Sequence, residues 1–152
     1  MFLYGPEADV ERMSRRCVSA RGPRRATLPG WSLRFDRVAV ERDGTGEPNV
    51  VPDAQGRVEG ALYVVDRVDL QRLDPAMGHP RRTSRRLLRV VGAEGGRVGA
   101  WVYVATPEWR ADGLQPRRED IAAMLALESV FSAETRAALL RSLGADAAAT
   151  PR

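Results

Sequence analysis

Three features of this chain have residue types and positions that could do chemistry: a carboxylate at the start of a helix, a turn holding the only histidine, and an arginine-rich stretch. Glu7 follows Gly5-Pro6 at the exit of the apolar run Met1 to Tyr4 and opens a segment with helical spacing. N–H groups at a helix start favour negative charge, so Glu7 could serve as a base or anchor a cationic amine. His79 lies in Met77-Gly78-His79-Pro80, but no Ser/His/Asp arrangement surrounds it, and it reads as a loop residue. Arg81, Arg82, Arg85, Arg86 and Arg89 form the densest basic cluster; with no aromatic residue interleaved, it reads as a solvated loop and strand edge. Cys17 is the only cysteine, so an internal disulfide is excluded. One Cys and one His do not make a tetrahedral metal site, and nothing in the sequence calls for a cofactor.

The elements that must position these groups belong to an ordinary globular chain. Its 152 residues, 43% apolar and 29% charged, suit one domain with its own core. No apolar run approaches the roughly 18 residues of a membrane span. The start, Met1-Phe2-Leu3-Tyr4-Gly5, lacks the charged and apolar regions of a signal peptide. The expectation is a cytoplasmic protein without a membrane partner. All 24 basic residues are arginine, a composition that fits GC-rich bacterial coding, and the formal net charge is only +4. A nucleic-acid partner is therefore not expected.

Met1 to Tyr4 reads as a short buried strand, and Glu7 to Cys17 as a helix with acids early and arginines late. Ala26 to Leu28, bracketed by Pro23 and Pro29-Gly30, reads as a short extended piece, and Trp31 to Phe35 as a half-buried strand. Val50-Val51 suggests a short strand and Asp53-Ala54-Gln55-Gly56 a turn before the strongest strand, Val58 to Val65. Asp66 to Leu73 follows as a helix, then a hairpin of Leu87 to Val91 with Val98 to Ala105. Helices over Pro116 to Leu125 and Ser132 to Leu143 complete the domain, with Ser132 as N-cap and Gly144 as the C′ residue. Residues 1–143 are expected to form one domain and residues 144–152 a flexible tail. The order of elements predicts a mixed α/β (α+β) fold, a small barrel-like sheet with flanking helices.

Several short signatures, taken in order, resemble the γ-glutamylcyclotransferase-like (AIG2-like) family over roughly residues 1 to 143. They are Tyr4-Gly5 after the first strand, Gly30-Trp31 with Phe35, Pro48-Asn49-Val50-Val51-Pro52, Val58-Glu59-Gly60-Ala61-Leu62-Tyr63, Leu73-Asp74, and Ala100-Trp101-Val102-Tyr103-Val104. The resemblance implies that the family's Leu-Asp-x-x-Glu-Gly turn falls on Leu73-Asp74-Pro75-Ala76-Met77-Gly78. Met77 then stands where the family has its general acid/base, and a thioether has no titratable proton. The resemblance also places Tyr4, Gly5, Pro6, Met77, Gly78, Thr83, Tyr103 and Arg118 around the substrate.

Three further positions depart from the family pattern. Its Tyr-Gly-Ser-Asn loop, whose N–H groups hold a carboxylate in relatives, is Tyr4-Gly5-Pro6-Glu7 here, and Pro6 has no N–H. Its Tyr-x-Arg is Thr83-Ser84-Arg85, and the tyrosine of its Pro-x-Tyr is replaced in Pro116-Arg117-Arg118, which puts Arg118 at that point. Arg118 could hold a carboxylate or stabilise developing negative charge.

The reading placed first is a repurposed small-molecule enzyme, performing an acyl-transfer, lyase or cyclisation step in bacterial biosynthesis, with Glu7 as its catalytic group. The alternative is a non-catalytic ligand- or partner-binding module on the same fold, signalled by a closed, methionine-plugged cavity. A third is a residual cyclotransferase whose base has moved to Asp74 or Glu59. The expected partner is a small-molecule ligand carrying an amine, bound by a monomer or homodimer.

Overall fold

The computed structural model describes residues 1–149. Its elements are β1 (Phe2–Leu3), α1 (Val10–Arg16), β2 (Arg21–Val38), β3 (Thr45–Val64), α2 (Arg67–Ala76), β4 (Thr83–Gly92), β5 (Arg97–Ala105), β6 (Gln115–Pro116), α3 (Arg118–Leu125) and α4 (Ala133–Ala149). Short 3-10 turns occupy Pro6–Ala8 and Pro107–Trp109. The fold is mixed α+β. Five antiparallel strands run in the order β1-β3-β2-β4-β5, and β6 adds to β3 in parallel.

β2 and β3, 18 and 20 residues long, form the hairpin on which everything else is built. The sequence breaks both into shorter pieces, because Pro23, Pro29-Gly30, Pro52 and Gly56 look like stops. The prolines near Arg21 and Trp31 instead coincide with register shifts, at Arg21/Arg24 and Pro29/Trp31, where a missing N–H is tolerated. The expected turn at Asp53 to Gly56 is strand. Gly56 remains there because a Cβ would stand 2.3 Å from the Trp31 carbonyl oxygen. The turn chemistry survives locally, since Asp53 Oδ1 accepts the Gln55 N–H at 3.0 Å.

Alternation along the strands separates two apolar clusters. Phe2, Tyr4, Leu28, Val50, Val90 and Val102 pack on one face of the sheet. Leu3, Tyr63, Leu73, Met77 and Tyr103 pack on the other, under Ile121, Met124 and Phe131 from the helical region. The sheet's ends are bridged by side chains and not by a backbone ladder. Tyr4 Oη donates to the Tyr103 carbonyl at 2.6 Å, and Asn49 Oδ1 accepts the Ala105 N–H at 2.9 Å.

The helix expected over Glu7 to Cys17 divides into the 3-10 turn and α1, which Asp9 caps by accepting from the Glu11 N–H. Asp66 caps α2 through the Asp69 N–H at 2.8 Å. Ser132 caps α4 through the Thr135 N–H at 3.2 Å. Gly144 does not end that helix, which runs to Ala149 because glycine in a helix costs only about 1 kcal/mol relative to alanine. The remainder of the expected tail, residues 150–152, lies outside the described residues. No helix among them is long and apolar enough to cross a membrane.

Candidate functional site

Where β1 leaves the sheet and α2 ends, the chain encloses a cavity of about 10 Å3 lined by Tyr4, Gly5, Glu7, Arg37, Met77 and Tyr103, among others. That is room for about one water molecule. Of the residues expected around the substrate, Tyr4, Gly5, Met77 and Tyr103 are brought together here, and Glu7 joins them. Glu7 folds back over the turn, with Oε2 3.4 Å from the point a Gly5 Cβ would occupy. Met77 is 8% exposed and fills the wall beneath Tyr103 in the same apolar cluster.

Pro6, Gly78 and Thr83 support the cavity without lining it. Pro6 opens the buried 3-10 turn and contributes no N–H. Gly78 follows α2 with φ of 79°, and a Cβ there would stand 2.8 Å from Arg82 Cβ. The left-handed turn and the close approach both require glycine. Thr83 is fully buried, and its hydroxyl donates to the Met77 carbonyl at 2.9 Å, fixing the backbone that carries the thioether.

Arg118 is corrected. It is exposed at the first position of α3 and does not line the cavity. One residue earlier on the helix entry, Arg117 turns inward and lies 3.4 Å from Glu47 and 3.5 Å from Glu41. Arg117 is the extended N-cap and Arg118 the first helical residue, which separates the two arginines.

Sequence reasoning missed Arg37, Glu47 and Asp120. Arg37 is 7% exposed; its Nε donates to Glu47 Oε2 at 3.0 Å. Glu47 also receives Arg82 Nη2 at 2.7 Å, so three guanidinium groups surround one carboxylate. Arg37 Nη1 is buried and has no hydrogen-bond partner among the described residues. No local pattern marked it, because a register shift between Arg34 and Arg37 interrupts β2 and alternation from Leu33 and Phe35 does not carry to Arg37. Asp120, half-buried on α3, has its carboxyl pushed up to about 6, chiefly by burial, with Arg117 opposing and Glu7 and Glu47 adding to the rise. Burial also raises the Tyr4 hydroxyl well above its ordinary value, as it does Tyr103, where the Asp74 hydrogen bond adds to the effect.

The two candidates for a displaced base are otherwise engaged. Asp74 Oδ1 accepts the Tyr103 hydroxyl at 2.7 Å and lies 2.9 Å from Arg85 Nε. Glu59 is half-buried and caps α4, accepting from Ser132 N–H at 3.0 Å, from Ser132 Oγ at 2.8 Å and from Thr135 Oγ1. Burial works upward on its carboxyl, but the Thr135 and Ser132 hydrogen bonds outweigh it and hold it below the usual range. The arginine-rich cluster is likewise divided: Arg82 stacks on Trp109, Arg85 on Trp101 and Arg86 on Trp31, aromatics supplied by distant segments.

A second depression, an open groove of about 830 Å3, runs between the β2–β3 hairpin and α4, with Leu33, Phe35, Asp36, Arg110 and Leu139 among its walls. No group of three or more His, Cys, Asp or Glu side chains that could hold a metal ion occurs among the described residues.

The sequence matches no curated protein. Among solved structures, the fold is similar to one titled γ-glutamyl cyclotransferase, with a TM-score of 0.79 at 20% identity over 91% of this chain and 83% of that one. An uncharacterized protein from Homo sapiens gives 0.77 at 20% identity over the same shares. YkqA from Bacillus subtilis gives 0.79 at 20% identity over 94% of this chain but only 53% of its own. The family model described as gamma-glutamyl cyclotransferase, AIG2-like, matches residues 1–122, most of the chain and every residue lining the small cavity. The chain belongs to the AIG2-like γ-glutamyl cyclotransferase family.

Proposed function

We propose that this γ-glutamyl-cyclotransferase-like protein is a non-catalytic ligand- or partner-binding member of its family. The observation that carries the reading is the cavity itself. About 10 Å3 remains where Met77 and Tyr103 meet the Tyr4-to-Glu7 segment, too little for a glutamyl group, and the residue at the resemblance's acid/base position cannot titrate. Losing a general base costs on the order of 10² to 10⁴ in rate. Purified protein given γ-glutamyl dipeptides or γ-glutamylamines is expected to release no 5-oxoproline by mass spectrometry. Met77→Glu alone is expected not to restore release, because Pro6 still lacks its N–H and Glu7 still faces the cavity. Release by the wild-type chain that disappears in Asp74→Asn would overturn the reading.

A repurposed enzyme is the second reading, and Glu7 favours it. A carboxylate beside Met77 in the same cavity could act as a relocated base in acyl transfer, elimination or cyclisation.

A further inference from the structure

We infer that the outer face of the β4–β5 hairpin docks a protein partner, and that the segment it takes carries carboxylates beside an apolar side chain. The inference rests on the partner-binding reading and uses a face that shares no residue with the small cavity.

Strand pairing sorts the side chains of the hairpin. Leu88, Val90, Ala100 and Val102 alternate toward the core and pack in one apolar cluster. Leu87 opposite Trp101, and Arg89 opposite Gly99, therefore look the other way. This stretch is uncovered: Leu87 is 63% and Trp101 37% exposed, and Arg89, Arg97 and Gly99 are exposed with them. At Gly99 the face has a notch. Apart from its chain neighbours, a Cβ there would meet only Leu87, at 3.6 Å.

Charge decides what fits. β4 contains three arginines and β5 one, and neither strand contains an acidic residue. Arg85 is already engaged, lying over the Trp101 ring at 4.8 Å and 2.9 Å from Asp74. Arg89 and Arg97 join no ion pair among the described residues. They hold diagonal positions across the hairpin, roughly 7 to 8 Å apart, beside the notch and the Leu87–Trp101 pair. An acidic segment with one apolar side chain complements both halves of this surface. A second copy would bring the same arginines against each other. A nucleic acid would find one exposed ring, with Arg85 already on one of its faces.

Titration calorimetry with a short peptide of alternating aspartate and leucine, its lysine–leucine counterpart and oligothymidylate tests the surface. The aspartate–leucine peptide is expected to bind wild type, more weakly as salt rises, and the other two not measurably. Arg89→Glu with Arg97→Glu should weaken that binding by about tenfold. Gly99→Leu fills the notch without a clash, so it should melt no lower than wild type while losing at least as much affinity. Should the charge-reversed variant fail to fold by circular dichroism, Gly99→Leu decides alone. No binding of the aspartate–leucine peptide, binding that Gly99→Leu retains, tighter binding of oligothymidylate, or self-association that Gly99→Leu abolishes in sedimentation overturns the proposal. Release of 5-oxoproline by wild type overturns the non-catalytic reading instead, which keeps the two failures distinct.

Discussion

The small cavity and the open groove meet along β2, on either side of a register shift between Arg34 and Arg37. Leu33 and Phe35 line the groove, and Arg37, two residues on, lines the cavity. The groove is far larger, yet its most prominent charges already have partners: Asp36 receives Arg110 at 3.0 Å and the Asn49 amide at 2.7 Å. The cavity has almost no room and holds a guanidinium edge that nothing answers. Space alone therefore does not show where polar groups are left unmet, and a buried unmet donor is where a polar partner is worth most.

The contrast can be broken most forcefully at Glu47. Glu47→Ala would leave Arg37, Arg82 and Arg117 facing one another without their shared carboxylate. With Arg37 and Arg82 largely buried, the expected loss is about 3 kcal/mol of unfolding free energy in a urea titration. A loss below about 1 kcal/mol would mean that these guanidinium groups are solvated, at the level of surface ion pairs.

Asp120 sharpens the comparison through pH. Its folded carboxyl titrates near 6 against an ordinary value of 3.8, so between those values the folded chain holds a proton that the unfolded chain has lost. Stability contributed by this group is full below about pH 4 and declines as pH rises through 6. Asp120→Asn removes the decline. The variant should match wild type near pH 4 and exceed it above pH 6 by about 1 kcal/mol, discounted for the solvent around a half-buried side chain. Parallel melting curves across that range would show that Asp120 is not desolvated.

The groove should yield the smallest effect. Arg110→Ala removes an ion pair to Asp36 whose arginine is 44% exposed, so the expected change is about 0.5 kcal/mol or less. A change as large as that at Glu47 would erase the distinction between the two regions.

Much of this arrangement could be read from the sequence, and the exceptions have physical causes. The short strand at Met1, the helix after Asp66 and the hairpin ending at Ala105 are local patterns, and local patterns survive folding. β2 and β3 were fragmented because proline and glycine punctuate a chain identically whether they end a strand or bend one; only the partner strand's register distinguishes the cases. The cavity residues Tyr4, Gly5, Glu7, Met77 and Tyr103 were legible through the family resemblance. Arg37 was outside that resemblance, and a register shift between Arg34 and Arg37 breaks the alternation that would have shown its direction. Arg118 is exposed one residue past the extended N-cap Arg117, a change of backbone direction that no local pattern displays. Three tryptophans beside the arginine cluster were invisible, because each comes from a different part of the chain.

The side-chain bridges between the sheet's two ends also occupy backbone groups at the sheet's edge. A terminal strand offers unpaired backbone groups on which another molecule can grow. On β5, the Tyr103 carbonyl is capped by the Tyr4 hydroxyl and the Ala105 N–H by the Asn49 amide, so the stretch beside the cavity presents no vacant template. The opposite end of β5 begins with Arg97 and includes Gly99, a charge and a weak strand former that discourage stacking of a second copy. The hydroxyl and amide that join the sheet's ends thus do for two backbone groups of β5 what a neighbouring strand would otherwise do.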